Sequence, residues 1–577
     1  MIYEIPPLSK TRDQVKENNN HLASKNLIWY SWFVFAIGIF LLQASTLSLL
    51  PTLMQDEAQI TDYGRLALDP SSNWSVTWWV AAEKPLFLWS YLGPVLAEFG
   101  FQLGGPSGVG PRVMALFGGV IAASMAFGWL LQRKVPSTIA GLLAAAFLLD
   151  PLFTLSQRMA RSDSWVMVLC LASCWLLQYA SNKDGNRKSL FIAISGMLAA
   201  TASFIWPSAV FLYPLICLEL FYSGYKNSEL KESLQKRVLN ILYFLAGGIL
   251  ISIILILPIR NQLNTILTDM QNMVALNVNA TTTPIERSMA LFSYQPWAKL
   301  VKAFVKTLAF GIPLLGIWAL IIRREKGMII VAFITLTIIF MTLVYEFRIM
   351  YLTPYLLALS GNLFREIKLK PIKPVLTKLS FGFLILVLVW AVGISIITRS
   401  ALAFHDRNYH DRDRLAEAAT TAIGQGNYKV FLAFTYEFYF TGRALGWQLY
   451  TPYIQFSYDA NGNWIRNNDF KPKNKFIQLL SNMDYAIFPV DKLNEEVKKD
   501  LDISGLKFSG TIHVTDELLP KSSSALSRTN NILFWFLRGA NGYGPYLLYT
   551  RSDKPNLQND NVTSLTQTPA HAAAYNK

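Results

Sequence analysis

Repeated apolar runs constrain this chain more than any other feature, because several approach the ~20 residues that an α-helix needs to cross a bilayer. Of the 577 residues, 52% are hydrophobic and only 15% are charged, and the mean hydropathy is +0.30. Soluble proteins are less apolar and more charged. We therefore predict a polytopic α-helical membrane protein with about eleven or more spans. They lie at approximately residues 27–50, 110–131, 136–155, 164–181, 189–206, 208–224, 238–258, 298–321, 328–345, 349–363 and 379–398.

The distribution of lysine and arginine between these apolar runs predicts the orientation of the chain in the membrane. Basic residues concentrate in the N-terminal segment and in every second short loop, as in Arg133-Lys134. Such loops are usually cytoplasmic. Residues 51–109, 259–297 and the chain after about 399 are then extracytoplasmic. The net charge of +15 therefore reflects membrane topology and does not indicate a nucleic-acid partner.

Composition divides the chain into four predicted parts. Residues 1–26 form a cytoplasmic segment, and residues 27–400 form a transmembrane domain with 51–109 as its first outer loop. Residues 401–553 have the pattern of a small extracytoplasmic α/β domain. Residues 554–577 are polar and are expected to be disordered. The predicted strands of the α/β domain are 428–434, 484–490, 506–514 and 545–549, and its predicted helices are 411–423 and 492–501.

Two acidic clusters lie at the outer ends of predicted spans, where a carboxylate is costly unless it is paired or used. Asp56 and Glu57 follow the first span and open an amphipathic helical pattern predicted to lie on the membrane surface. Capping of that helix, worth ~0.3–1 kcal/mol, is the structural alternative to a catalytic role. The second cluster contains Arg158, Arg161 and Asp163. It is either an ion pair that fixes the fourth span or, because two arginines leave a positive excess, a site for an anion.

Two further cations are candidate ligands of a phosphate group. Lys84 lies in the first outer loop, within Glu83-Lys84-Pro85, and Arg348 lies at the outer end of a later span. The structural alternative for each is an anchor to lipid headgroups. The histidines lack metal-ligand spacing, so the sequence does not support a divalent metal or another cofactor.

Together these motifs resemble those of the GT-C membrane glycosyltransferases, in particular the branch that contains protein O-mannosyltransferases and the lipid A aminoarabinose transferase. The order and positions of the motifs fit from residue 27 to about 360. Members often have two prolines after the loop lysine, whereas Leu86 follows Pro85 here. The C-terminal region shows no match. The resemblance rests on Asp56-Glu57, Lys84-Pro85, the Arg158–Asp163 group and Arg348 with Tyr351 and Pro354.

The resemblance implies an enzyme that moves a sugar from a polyprenyl-phosphate donor to an acceptor hydroxyl at the outer face of the membrane. It implies a catalytic site at Asp56, with Glu57 beside it, and a second acidic position at Asp163. It also implies a donor-phosphate contact from Lys84. Arginine suits the same phosphate, because its guanidinium fork matches an oxyanion. The candidate arginines are Arg158, Arg161 and Arg348.

The sequence leaves the sugar and the acceptor open, and the acceptor could be a glycolipid, a protein or a polysaccharide. Direct displacement at the anomeric carbon predicts inversion. A bacterial inner membrane is favoured over the endoplasmic reticulum, because the chain has no familiar retention signal. The main alternative function is a lipid-linked sugar flippase or another transporter, although transporters usually bind near the bilayer midplane. A non-catalytic assembly protein is the third alternative.

Overall fold

The fold is known from a computed structural model, which is mainly helical. The predictions for Lys84 and for the two chain termini lie outside the residues it describes. The described residues are 27–77, 87–183, 185–222, 230–268, 289–323, 325–342, 344–365, 374–405, 407–452, 455–458, 464–467, 473–514 and 542–551.

The first two thirds of the chain form a bundle of helices. These helices are α1 Leu27–Ala44, α2 Gln55–Leu68, α3 Leu92–Gly104, α4 Val109–Gln132, α5 Ser137–Leu148, α6 Pro151–Gln157, α7 Asp163–Ala180, α8 Gly185–Ile205, α9 Tyr213–Tyr222, α10 Leu230–Ile256, α11 Tyr294–Thr307, α12 Gly311–Ile322, α13 Lys326–Phe340, α14 Glu346–Ile349, α15 Thr353–Asn362 and α16 Pro374–Val392.

Within the described residues, six helical segments are long and apolar enough to cross a membrane. A seventh candidate arises if α5 and α6 together form one span. The other predicted spans coincide with shorter helices, such as α9, α12 and α13, so the number eleven stays a prediction. The six segments are α1, α4, α7, α8, the α10 segment and the α16 segment.

The predicted span at 136–155 is bent, since α5 and α6 meet at 60°. The bend lies at Asp150 and Pro151, and proline lacks the N–H that would continue the helix. The Asp150 carboxylate instead caps α6, accepting hydrogen bonds of 3.1 Å from the backbone N–H groups of Leu152 and Phe153.

Helix α2 forms where it was predicted, but protein covers both its apolar and its polar face. Its residues from Glu57 to Leu66 are buried. Its polar side chains are satisfied by protein groups in place of water, as when Arg65 donates to Asp62 at 2.7 Å. An amphipathic pattern shows that a helix has a polar face, but not whether water or protein covers that face.

The last third of the chain contains a mixed sheet with helices around it. The predicted strands and helices of this region are confirmed, with ends that differ by a few residues. The helices are α17 Arg399–His405, α18 Arg407–His410, α19 Arg412–Ile423, α20 Tyr439–Ala444, α21 Lys473–Leu480 and α22 Glu495–Ile503. The strands are β1 Lys429–Leu432, β2 Gln448–Tyr450, β3 Gln455–Tyr458, β4 Trp464–Asn467, β5 Tyr485–Pro489, β6 Leu506–Ile512 and β7 Tyr546–Arg551.

Five strands form one sheet in the order β2-β1-β5-β7-β6, and β3 pairs with β4 separately. Strand β1 runs parallel to β2 and β5, whereas β7 runs antiparallel to β5 and β6. The fully buried residues of this sheet include Val430 and Ile487, and they belong to the same core cluster as Ala58 of α2 and Phe101 of α3. The sheet region and the first outer loop therefore share one hydrophobic core.

Polar contacts reinforce this shared core. The Arg443 guanidinium pairs with the Glu98 carboxylate, at 2.9 Å between Nη2 and Oε1, and both side chains are at most 10% exposed. The Tyr439 hydroxyl donates to Asp62 at 3.2 Å. Since an uncompensated buried charge is costly, these contacts bind the C-terminal region to α2 and α3.

We expect a double-mutant cycle on Glu98→Gln and Arg443→Gln to give a coupling free energy of ~0.5–3 kcal/mol in unfolding experiments in detergent, because each single variant leaves its partner buried and unpaired. The matched control is the exposed pair Glu495 and Lys498, whose charged atoms lie 2.8 Å apart. Its coupling should be below ~1 kcal/mol, because solvent screens exposed pairs. Equal coupling in both cycles would contradict the buried interface.

Candidate active site

The two acidic positions predicted from the sequence converge on a single guanidinium, that of Arg161. Its Nε atom donates to Oδ2 of Asp163 at 2.7 Å, and its Nη1 atom pairs with Oδ2 of Asp56. Arg161 and Asp163 are buried, whereas the Asp56 side chain is 36% exposed. The structure thus brings together three predicted residues and leaves one carboxylate open to solvent or substrate.

A fourth residue completes this group from a distant part of the chain. The Tyr351 hydroxyl donates to Oδ1 of Asp163 at 2.7 Å, and the tyrosine is fully buried. The Phe347 ring lies 3.9 Å from the centre of the Arg161 guanidinium. Both oxygens of Asp163 therefore have donors, and the aromatic ring and Asp163 together fix the position of Arg161.

Three local structures position these side chains. Asp56 lies in the first turn of α2, and Asp163 is the first residue of α7. Tyr351 lies in a short 3₁₀ turn directly after α14. Acidic side chains in a first helical turn are stabilised by the unpaired N–H groups there, so the sequence places both carboxylates at favourable helix ends.

Glu57 occupies a different environment from its neighbour Asp56. Its side chain is fully buried, and each carboxylate oxygen lies 2.7 Å from a nitrogen of Arg112 in a bidentate ion pair. The oxygens also accept hydrogen bonds from the backbone N–H groups of Met54 at 3.0 Å and Ala160 at 2.9 Å. Glu57 is thus closed to a substrate in this structure and joins α2, α4 and the turn before α7.

The protonation of Glu57 follows from the same contacts. Burial alone would raise its pKa, but the charge and hydrogen bonds of Arg112 more than offset burial and lower the pKa below its usual value. The carboxylate therefore stabilises the folded state above the unfolded-state pKa, and this contribution is lost as the pH falls through the folded-state pKa.

Arg158 does not join the acidic group. It is 1% exposed, and its guanidinium donates to the backbone carbonyls of Gln43, Thr46 and Leu50 at 2.7–3.1 Å. These carbonyls belong to the end of α1 and the turns that follow it. The contacts indicate that Arg158 has a structural role at the end of the first span, whereas the predicted structural alternative was an ion pair at the fourth span.

Of the other two candidate phosphate ligands, Arg348 and Lys84, the structure describes only Arg348. Arg348 is half-buried, with its guanidinium 5.0 Å from the Tyr345 ring, in the same segment as Phe347 and Tyr351. Lys84 lies outside the described residues. Within the described part of the chain, no group of three or more His, Cys, Asp or Glu side chains is arranged to hold a metal ion.

Arg112 is the residue of this site that sequence reasoning missed. It lies in the first turn of the apolar span α4, where a charge is costly, and this cost was the available signal. Besides Glu57, it donates to the backbone carbonyls of Leu47 at 2.9 Å and Pro51 at 2.7 Å. The pattern of its own helix does not reveal these partners.

Several solved structures resemble most of the chain. Two of them are ArnT from Cupriavidus metallidurans, at 12% sequence identity. The form bound to undecaprenyl phosphate matches with a TM-score of 0.51, over 90% of this chain and 98% of that chain. This chain has an ArnT-like fold. The apo form matches with a TM-score of 0.47, over 84% of this chain and 96% of that chain.

No protein-family model matches the chain, and no curated protein does either. The likeness to ArnT therefore concerns the fold, and it agrees with the resemblance to the lipid A aminoarabinose transferase that the sequence motifs indicated. This fold and the six long apolar helices identify an integral membrane protein.

We expect Glu57→Ala to destabilise the protein by ~3–5 kcal/mol, because it leaves the guanidinium of Arg112 buried without a counter-ion. Asp56→Asn is the matched control at the adjacent position. It should change the free energy of unfolding by less than ~1 kcal/mol, because Arg161 keeps Asp163 and the Asp56 side chain is partly exposed. Denaturant unfolding in detergent measures both. Equal losses would contradict the separate roles of these neighbours.

Proposed function

We propose that this protein is a membrane glycosyltransferase that moves a sugar from a polyprenyl-phosphate donor to an acceptor hydroxyl at the extracytoplasmic face, with inversion at the anomeric carbon. The observation that carries the proposal is the environment of Asp56. Its side chain is partly exposed, it lies at a helix N-terminus, and one of its oxygens is bound to Arg161.

The second oxygen of Asp56 supports a role as general base. Among the described residues, Oδ1 accepts no hydrogen bond, so it is available to a substrate hydroxyl. In the proposed step, Asp56 takes the proton of the acceptor hydroxyl while that oxygen forms a bond to the anomeric carbon. The bond from this carbon to the lipid phosphate breaks, and the phosphate leaves with the electron pair. Proton transfer of this kind contributes ~10²–10⁴-fold to a rate.

Asp163 and Tyr351 act in this proposal as positioning residues. Asp163 is buried and bound to Arg161 and Tyr351 through its two oxygens. It has no exposed oxygen to offer to an acceptor. Its charge instead holds Arg161 against Asp56, so the base is kept in one orientation.

The leaving phosphate requires cations. Arg161 already faces two carboxylates, and Arg158 is used in fixing α1. We therefore assign the phosphate contact to Lys84 and Arg348. The ArnT structure of similar fold contains undecaprenyl phosphate, which supports a polyprenyl phosphate as the lipid of the donor.

The position of the charges favours a transferase over the flippase alternative. Asp56 lies in the first turn of α2, Asp163 begins α7, and Arg161 lies in the turn just before α7. A transporter that moves a sugar lipid across the bilayer requires a polar path near the midplane. The acceptor stays open between a glycolipid, a protein and a polysaccharide.

We expect Asp56→Asn to lower transfer by ~10²–10⁴-fold, because the amide cannot take the proton of the acceptor. Membranes or proteoliposomes supplied with polyprenyl-phosphate-linked sugar, followed by product analysis, measure this loss. Asp69→Asn, an exposed change directly after the last residue of α2, is the control and should keep full activity. Near-normal sugar transfer by Asp56→Asn would refute Asp56 as the base. If the unaltered protein flips the sugar lipid across the bilayer but transfers no sugar, the transporter alternative would be favoured.

We expect Tyr351→Phe to reduce kcat about tenfold with little change in the KM for the donor, because Asp163 loses one donor and holds Arg161 less firmly (~1.4 kcal/mol for a factor of ten). The matched control is Tyr355→Phe, four residues later. The Tyr355 hydroxyl is also buried, but it contacts Thr335 and the backbone carbonyl of Phe211. This control should lose stability and keep kcat. Equal kcat losses in both variants would indicate a general packing defect.

A further inference from the structure

A second polar site lies at the opposite end of the helix bundle from Asp56. It is a cavity of about 310 Å³. Helix α4 connects the two ends, with Arg112 in its first turn and Arg133 directly after its last residue. At 1.5 Å per residue these arginines lie roughly 30 Å apart, so the cavity is separate from the acidic site. Its lining residues are Arg133, Gln178, Tyr222, Glu325 and Arg365.

The two carboxylates nearest to the cavity share one arginine. Arg133 is 3% exposed and binds Glu219 through Nη1 and Glu325 through Nη2, the latter at 3.1 Å. Glu219 is fully buried and also accepts hydrogen bonds from Trp129 and Gln178. Arg133 therefore pairs with both acidic groups, whose two negative charges exceed its single positive charge by one.

Donors without partners remain around the cavity. Among the described residues, neither the guanidinium of Arg365 nor the hydroxyl of Tyr222 forms a hydrogen bond or ion pair, and the Nε atom of Arg133 is buried without an acceptor. Burial and the nearby charge of Arg133 lower the pKa of Arg365, although the charges of Glu325 and Glu219 offset part of this effect. Two guanidinium groups therefore line the same cavity, and an anion there would accept the hydrogen bonds that these donors leave unused.

The depth of the cavity indicates where this anion comes from. Gln178 lies near the end of α7, Tyr222 is the last residue of α9, and Glu325 directly precedes α13. Helices that end together mark the level at which the bundle leaves the bilayer. Phe221 and Ile321, beside this level, are 51% and 67% exposed, as expected for a surface that contacts lipid. Lipid headgroups lie at this depth, and basic pockets between helix ends bind them.

We propose that this cavity binds the phosphate of an anionic membrane lipid, with the guanidinium of Arg365 and the hydroxyl of Tyr222 donating to the phosphate oxygens. Its volume is at the lower end of the range for small-ligand sites, which suits a headgroup whose acyl chains stay in the bilayer. The inference does not depend on the proposed transferase activity.

The test uses the full-length protein in detergent with three probes: dioctanoyl phosphatidic acid, dioctanoylglycerol and inorganic phosphate. Binding is measured as bound lipid by native mass spectrometry and as a shift in the melting temperature. We expect saturable binding of phosphatidic acid and no binding of dioctanoylglycerol. Arg365→Gln should weaken the binding of phosphatidic acid at least tenfold, and Tyr222→Phe by severalfold.

The matched control is Lys134→Gln, which removes an exposed positive charge next to Arg133 but outside the cavity lining. It should bind phosphatidic acid as the unaltered protein does. Unchanged binding by Arg365→Gln, or an equal loss in Lys134→Gln, would overturn the proposal. Equal affinity for inorganic phosphate would show a site for the free anion and refute the lipid assignment. If Arg365→Gln does not fold, unchanged binding by Tyr222→Phe would refute it as well.

Discussion

The arrangement of the acidic site depends on the buried ion pair between Glu57 and Arg112. Taking two charges out of water costs several kcal/mol per ion, and only complete hydrogen bonding offsets that cost. Here Arg112 and two backbone N–H groups provide each oxygen of Glu57 with two donors. The pair fixes the first turn of α2 against the turn before α7. Asp56 and Arg161 belong to these two segments, so their contact follows from the pair beneath them.

Adjacent carboxylates in this site have different environments, and the environment determines what each can do. Glu57 is enclosed and permanently paired, whereas Asp56 keeps one oxygen open among the described residues. Asp163 lies between these cases, because it is buried but holds the arginine that Asp56 contacts. The proposed reaction needs one accessible base and a rigid surrounding. The ion pairs of Arg112 with Glu57 and of Arg161 with Asp56 and Asp163 provide both.

The sequence predicted the convergence of Asp56, Arg161 and Asp163 because charge alternation places span ends on one side of a membrane. It also predicted, from periodicity, four of the seven strands described in the C-terminal region and the helices at 412–423 and 495–503. It did not predict the burial of α2, the closure of Glu57 by Arg112, or the use of Arg158 at the end of α1. Periodicity indicates which face of a helix is apolar, but the neighbours of that face depend on how helices pack laterally. Tyr351 illustrates this, since 188 residues separate it from Asp163.

The core that Ala58 and Phe101 share with Val430 and Ile487 limits how such a protein can diversify. A domain that folds around its own core can be exchanged between relatives as a cassette. Here part of the apolar interior is encoded some 370 residues away, in the loop that carries the acidic site. A chimera that swaps the C-terminal third alone would lose the loop residues Ala58, Val76 and Phe101 that complete this core. Recombination would therefore be tolerated only when both segments are exchanged together, so the two must evolve as one unit.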